Sequence, residues 1–325
     1  MPPSLNSEIA VVVIGRNEGE RLVACLGSVL GDAARVIYVD SGSVDGSPDR
    51  ASEAGAEVVD LDMSVPFTAA RARNAGLALV AGEQTPLVQF VDGDCIVEPG
   101  WLGAAERFLA EHPEVGVVCG RRREMHPEVS VYNRLCNREW DTPVGPASAC
   151  GGDAMMRVAA LRAVGGFRDG LIAGEEPELC LRLARAGWGI WRLDAPMTRH
   201  DAAITRFSQW WRRTRRAGHA FAEGAYLHGA GPERHWVRET RSGLFWGAAL
   251  PLVLLLAALA SPAALWGFAV YPAQVVRLWR RLGGDRGAAE AALFLVLGKF
   301  AEAQGVIEFH LRRWSGRRRG LVEYK

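Results

Sequence analysis

The sequence predicts an α/β fold: a doubly wound, mostly parallel sheet with helices on both faces, followed by a C-terminal hydrophobic helical region. Three observations predict it. Apolar runs of strand length alternate with helical patterns through the first half of the chain, as right-handed βαβ units require. The first run is apolar on both faces, as in the buried strands of a parallel sheet. Residues 242–276, 35 in a row, carry no formal charge, more than the roughly 20 residues a membrane-spanning helix needs.

The elements follow in order. Ile9 to Ile14 is the first strand, and Gly15-Arg16-Asn17-Glu18 follows it. Leu22, Cys25, Leu26, Val29 and Leu30 then fall on one helical face. Arg35 to Val39 reads as the second strand, ends at Asp40 and leads into a polar turn, Ser41 to Ser47. A short helix closes at Ala51 to Gly55, and Glu57 to Leu61 is the third strand. Thr68 to Ala81 is an alanine-rich helix bearing Arg71, Arg73 and Asn74. Leu87 to Val91 is the fourth strand and ends at Asp92-Gly93-Asp94. Between about Gly120 and Gly152 the pattern weakens and reads as a long loop or a short-element insertion. Ala154 to Gly165 reads as helix, Leu179 to Ala186 as a second helix after Gly174-Glu175-Glu176-Pro177-Glu178, and Trp188 to Leu193 as one more strand. In such sheets ligands sit at the carboxyl ends of the strands, which here carry Asn17, Glu18, Asp40, Asp92 and Asp94.

Net charge is +1 and names no partner, but its distribution does more. Residues 241–325 hold 12 Lys/Arg against 5 Asp/Glu, while residues 1–240 hold 26 against 32. An acidic body with a basic, apolar tail suggests two surroundings. The tail reads as a spanning helix, as a re-entrant hairpin broken by Pro251, Ser261, Pro262 and Pro272, or as a buried helix pair of a soluble domain. Ala288 to Phe300 is shorter, interrupted by Glu290 and Lys299, and reads as interfacial or packed. Arg312, Arg313, Arg317, Arg318 and Arg319 form a basic cluster suited to anionic lipid on a cytoplasmic face; nucleic acid is disfavoured by the apolar neighbourhood. The six scattered cysteines make no CxxC pair and read as reduced, buried thiols. The polar segment Met1–Glu8 shows no signal peptide.

Several groups have the chemistry of a site. Asp92-Gly93-Asp94 after an apolar strand offers hard oxygen ligands to a divalent cation, although a turn alone also contains such residues. Glu175-Glu176-Pro177-Glu178 is either a carboxylate cluster or an N-terminal charge arrangement on a helix. His200 is a metal ligand or an ordinary histidine. Gln209 to Arg216, with Trp210 and Trp211, is an arginine cap over phosphates or an amphipathic interfacial helix. His126, Asn133 and Arg138 lie in the irregular stretch.

Five pieces, in order, resemble one family: Val13-Ile14-Gly15-Arg16-Asn17-Glu18; Val39-Asp40-Ser41-Gly42-Ser43-Val44-Asp45-Gly46; Ala70-Arg71-Ala72-Arg73-Asn74-Ala75-Gly76; Phe90-Val91-Asp92-Gly93-Asp94; and Gly165-Gly166-Phe167 with Gly174-Glu175-Glu176-Pro177-Glu178-Leu179 and Arg182. They are similar to the motifs of the inverting glycosyltransferases of family 2, which have the GT-A fold. The resemblance spans about residues 9–190. It implies that a nucleotide-sugar donor is held by Asn17, Glu18, Asp40, Gly42, Ser43, Asp45, Arg73, Asn74 and Asp92, with Asp40 at the base or ribose. It implies a Mg²⁺ or Mn²⁺ ion on Asp94, Asp92 and His200. It implies a general base at Glu176, where the family has aspartate, with Glu175 as the neighbouring catalytic carboxylate; the longer side chain leaves the choice among Glu175, Glu176 and Glu178 open.

On this reading residues 1–205 form the transferase domain, 206–241 a basic and aromatic interfacial segment, and 242–325 a membrane-associated region. The enzyme is then anchored through residues 242–300 to the cytoplasmic face of a membrane, and its acceptor is lipid-linked or a cell-envelope polysaccharide. The rival readings are a sugar nucleotidyltransferase, for which Gly15-Arg16-Asn17-Glu18 is a poor phosphate loop, and a non-catalytic sugar-nucleotide-binding module.

Overall fold

A computed structural model describes residues 9–81 and 85–315. Met1–Glu8 and the arginines at 317, 318 and 319 lie outside the described residues. The chain forms two compact units, Met1–Pro127 with Cys136–Ala203, and Glu128–Leu135 with Ile204–Lys325.

The elements of the first part of the chain are β1 (Ile9–Gly15), α1 (Glu20–Gly27), β2 (Arg35–Asp40), α2 (Ser47–Glu53), β3 (Glu57–Asp60), α3 (Ala69–Ala81), β4 (Leu87–Asp92), β5 (Cys95–Val97), α4 (Trp101–Glu111), β6 (Val115–Glu124), α5 (Val131–Trp140), β7 (Gly145–Pro146), β8 (Ala154–Arg157), α6 (Val158–Val164), α7 (Glu175–Arg185) and β9 (Gly189–His200). The strands form one sheet in the order β3-β2-β1-β4-β8-β6-β9-β5, with β7 on β9. The first four strands are parallel. Beyond them β8 runs antiparallel to both β4 and β6, and β6 runs parallel to β9.

Every residue of β1 from Ile9 to Ile14 is buried. Successive side chains point to opposite faces, so both faces of this strand are covered. Gly76 is what lets α3 close on one of them, because a Cβ there would stand 2.4 Å from Val12 Cγ1. Parallel pairing aligns the strand ends: Gly15 with Asp40, Ile14 with Asp92, Asp40 with Asp60. The strands therefore stop at the same edge, where β2, β3 and β4 leave their aspartates.

The weak region follows the second of its two readings, short elements rather than a long loop: it contains the end of the ten-residue strand β6 and the helix α5. The second half of β6, Arg121-Arg122-Arg123-Glu124, looks polar because its buried charges are paired across the fold. Ala154–Arg157 is strand β8 rather than the start of a helix; pairing with β4 and β6 overrides the helix preference of alanine and methionine. Glu175 to Glu178 are the first turn of α7 rather than a lead-in to it. The helix α4 was not legible as an element in the sequence.

The second unit contains α8 (Phe207–His228), α9 (Val237–Leu244), a π-helical turn (Phe245–Ala249), α10 (Leu250–Ala260), a 3₁₀ segment (Pro262–Ala269), α11 (Val270–Arg281) and α12 (Arg286–Ser315). Val237–Ala260 is one continuous helix, long and apolar enough to cross a membrane. The apolar stretch folds back on itself. Ser261 is extended and ends α10, a Cβ on Gly267 would meet Leu254 at 2.4 Å, and the Tyr271 hydroxyl donates to the Trp246 carbonyl at 2.6 Å. Pro251 follows the π-helical turn inside the Val237–Ala260 helix, where its missing N–H removes an intrahelical bond. On α8 the tryptophans make contacts within this unit: Trp210 packs on Phe294 at 4.9 Å, and Trp211 Nε1 donates to Gln304 Oε1 at 2.9 Å.

Candidate active site

The loop after β1 and the turn after β2 are stitched together. The Asn17 amide donates to Ser43 Oγ, and the Val44 amide donates back to Asn17 Oδ1, each at 2.8 Å. Asn17 adopts φ 56°, which asparagine tolerates better than most residues. Asp45 accepts from the Ser47 amide, and the Ser47 hydroxyl accepts from the Gly19 amide. Asp40 is buried and organises the turn: Oδ2 accepts from the amides of Gly42 and Ser43, and Oδ1 from the hydroxyls of Ser43 and Tyr38. Burial, and then the bond to Asp40, pushes the Tyr38 phenol well up. Glu18 pairs with Arg21 at 2.7 Å. It lies across the strand ends, its Cγ 3.3 Å from where a Cβ of Gly93 would be. Gly93 binds the same edge through its amide, which donates to the Ile14 carbonyl at 2.8 Å.

Asp94 and His200 meet just beyond this edge. β5 pairs Cys95 with His200 on β9, and Asp94 Oδ2 lies 3.2 Å from His200 Nε2. Both residues are buried. Burial, and then Arg122, holds the imidazole pKa below its usual value, which favours the neutral form that ligates metals. Trp140 stacks on the ring at 4.8 Å and sets its orientation, while Nδ1 has no hydrogen-bond partner. Two ligand atoms each about 2.1 Å from an octahedral ion lie about 3 Å apart. The Asp94–His200 spacing fits that edge, and Cys95 Sγ completes a group whose ligand atoms lie within 4.8 Å. The thiol is the weakest of the three for a hard ion, and burial keeps it protonated.

Arg73 joins this edge to α7. It is 2% exposed and donates to Asp92 Oδ1 and Glu175 Oε1, each at 2.7 Å. Burial works against its charge, and the two carboxylates more than offset that. Its neighbour Asn74 has a different task. Both its amide hydrogens go to Phe167 O and Asp169, and its oxygen accepts from the Phe167 amide, so it clamps the turn after α6.

The three glutamates of α7 separate by their partners. Glu178 is 1% exposed and pairs with Arg182 and Arg168. Glu176 accepts from the Cys150 and Gly151 amides, at 2.6 and 2.9 Å, and from the thiols of Cys150 and Cys180. Glu175 uses Oε1 for Arg73, and its Oε2 makes no hydrogen bond and is not shut off from solvent.

Asp153 and the two glycines before it escape a sequence reading. Asp153 is fully buried. It accepts from the Asp92 amide, Cys95 Sγ and Thr198 Oγ1, and pairs with Arg122 at 3.3 Å. The glycines before it are required: a Cβ on Gly152 would stand 2.8 Å from both Arg73 Nη2 and Asp92 Oδ2. Of the expected site residues, Asn17, Glu18, Asp40, Gly42, Ser43, Asp45, Asp92, Asp94 and His200 lie along the strand-end edge or next to it. Arg73 ties Glu175 to that edge through Asp92. Asn133 serves the second unit, where its Oδ1 accepts from the Ile204 amide.

The chain resembles known proteins in sequence and in fold. The model of the family described as glycosyl transferase family 2 matches residues 10–162. The chain is 30% identical over 243 residues to the pre-mycofactocin glycosyltransferase of Mycobacterium tuberculosis, covering 70% of this chain and 50% of that protein. It is 28% identical over 172 residues to the succinoglycan biosynthesis protein ExoA of Rhizobium meliloti, covering 50% and 52%. The chain thus spans about half the length of these curated relatives. Among solved structures, the mannosyltransferase PcManGT from Pyrobaculum calidifontis, in complex with GDP-Man and Mn²⁺, superposes with a TM-score of 0.65 over 94% of this chain and 88% of that one, at 20% identity. At that identity the likeness shows the fold.

Proposed function

The chain belongs to glycosyltransferase family 2, and we propose that it moves a sugar from a nucleoside-diphosphate donor, with inversion, to a lipid-linked or cell-envelope polysaccharide acceptor at a membrane. The observation that carries the reading is the Asp94–His200 pair, 3.2 Å apart, set beside strand ends that bear Asp40 and Asp92. Asp94, His200 and Asp92 would hold Mg²⁺ or Mn²⁺. A bound divalent ion supplies charge neutralisation for the departing diphosphate.

The chain's own residues do the rest. The turn Gly42–Asp45, fixed by Asp40 and clasped by Asn17, holds the nucleoside. Arg73 fixes Asp92 and Glu175 in one geometry. Glu175, through its free Oε2, takes the proton of the acceptor hydroxyl as that oxygen attacks the anomeric carbon. Glu176 holds the Cys150–Gly151 turn, and Gly152 keeps the space beside Arg73 and Asp92 open.

The membrane reading rests on the uncharged hairpin, whose side chains Leu252, Leu255, Leu256, Leu259 and Trp266 are all exposed, and on the basic residues that flank it. Positive charge at the hairpin's base favours the cytoplasmic face. A polysaccharide acceptor is supported by the similarity to a succinoglycan biosynthesis protein.

The test is a panel of nucleotide sugars with purified full-length protein, reading release of nucleoside diphosphate. Release that needs Mg²⁺ or Mn²⁺ and vanishes in Asp94→Ala is expected. Metal-independent release, or full activity in Asp94→Ala, overturns the metal assignment; pyrophosphate release from nucleoside triphosphate and sugar phosphate overturns the transferase reading.

A further inference from the structure

Two groups of arginines bracket the uncharged stretch in sequence, Arg238 and Arg241 before it, Arg277, Arg280 and Arg281 after it. In space some of them converge. Arg238, Trp246, Arg277, Arg281, Leu295 and Lys299 line one cavity of about 290 Å³ among α9, α11 and α12. Helical spacing explains the convergence. Arg238 and Trp246 are eight residues apart on one face, Arg277 and Arg281 four apart on another. The hairpin contacts of Trp246 with Tyr271 and of Leu254 with Gly267 bring the two faces together. Arginines from both ends of the stretch share one cavity, so the chain leaves and returns on the same side. The apolar stretch is a helical hairpin.

No carboxylate lines the cavity. Lys299 is paired with Glu302 at 2.7 Å, whereas among the described residues no carboxylate pairs with Arg238, Arg277 or Arg281. Three exposed guanidinium groups converging without a counter-ion repel one another and match the oxygens of a phosphate. The walls beside them are apolar, through Trp246, Leu278 and Leu295, and α10, which follows Trp246 in the chain, exposes Leu252, Leu255, Leu256 and Leu259.

We propose that this cavity binds the phosphate headgroup of an anionic membrane lipid at the mouth of the hairpin. The inference rests on the membrane reading above. The guanidinium forks hold the phosphate, and the acyl chains run down the apolar side of α10. A basic pocket between helices at a cytoplasmic surface is where such headgroups bind.

The test is flotation of the full-length protein with vesicles of phosphatidylcholine, alone or doped with phosphatidic acid. The wild type should float with both and partition more strongly to the doped vesicles. Arg277→Gln/Arg281→Gln should still float with phosphatidylcholine but lose roughly 30-fold of its partition to the doped vesicles, at about one factor of five per charge. Arg241→Gln/Arg280→Gln removes the same charge outside the cavity and should keep most of the gain. Equal loss in both double variants makes the effect diffuse surface charge and overturns the site. Equal flotation with both vesicle types overturns the lipid site alone. Failure to float with either overturns the membrane reading, and the lipid site falls with it. Inorganic phosphate that broadens in ³¹P NMR on adding protein without vesicles, and abolishes the phosphatidic acid gain, assigns the cavity to a free anion instead.

Discussion

Glu175 and Glu176 are adjacent in sequence, yet their oxygens meet different company. Glu176 turns inward and accepts four donors, two of them backbone amides that cannot follow it elsewhere. Glu175 spends one oxygen on Arg73 and keeps the other. Glu175→Gln retains an acceptor for Arg73 but removes the base. Turnover should fall about 10²- to 10⁴-fold, with donor affinity, measured by calorimetry, changed little. Glu176→Gln puts an amide where an amide and two thiols already donate, and should cost about 1–3 kcal/mol of stability, read as a lower thermal midpoint with weaker donor binding. Loss of turnover in Glu176→Gln with midpoint and donor affinity intact returns the base to Glu176. The sequence placed a carboxylate base on this turn, but not which one. That choice depends on Cys150 and Gly151, some 25 residues upstream, whose amides no local pattern reveals.

Among elements, α8 and α12 approach closely, backbone against backbone, in the second unit. A Cβ on Gly305 would stand 2.0 Å from the Arg215 carbonyl oxygen and 2.7 Å from the His219 amide nitrogen. Backbone atoms cannot rotate away, so Gly305→Ala must push the helices apart and should cost roughly 1–3 kcal/mol or more. Gly298→Ala on the same helix meets Thr214 Cγ2 at 3.4 Å, an ordinary contact. It gains about 1 kcal/mol of helix propensity and should be neutral or stabilising. Equal denaturation midpoints for the two variants would sink the close-packing argument. Legibility at this scale follows the source of each element's stability. The strands β1, β2 and β4 were readable because burial on both faces forces an apolar run, and each run stops at a polar edge. The end of β6 was not, because Arg122 is buried against Asp153, 31 positions away, and Glu124 against the amides of His126 and Ala202. Strand β8 is short and owes its state to its neighbours. Asp153 was missed as a site residue for the same reason: nothing near Cys150-Gly151-Gly152 shows that the next carboxylate will support the Asp92 amide.

At the scale of the whole molecule, the charge asymmetry between residues 1–240 and 241–325 was visible in composition, while the chain divides into two compact units near Ala203 and Ile204. Binding linkage gives that division a measurable form, because a ligand stabilises only the cooperative unit that holds it. Calorimetry of the full chain in mild detergent should show two transitions. Mn²⁺ with a nucleoside diphosphate, each at about 100 times its dissociation constant, should add about 2.7 kcal/mol per site to the unit that contains Asp94 and His200. For a unit of this size that raises its midpoint by several degrees and leaves the other transition in place. Asp94→Ala should abolish the metal-dependent part of the shift without moving the second transition. A single transition displaced as a whole would mean that the two cores unfold together, and the metal effect could then not be assigned to the sheet. Two transitions that both respond to the metal would place a second divalent site in the helical unit, where the described residues bring no group of three metal-ligating side chains together.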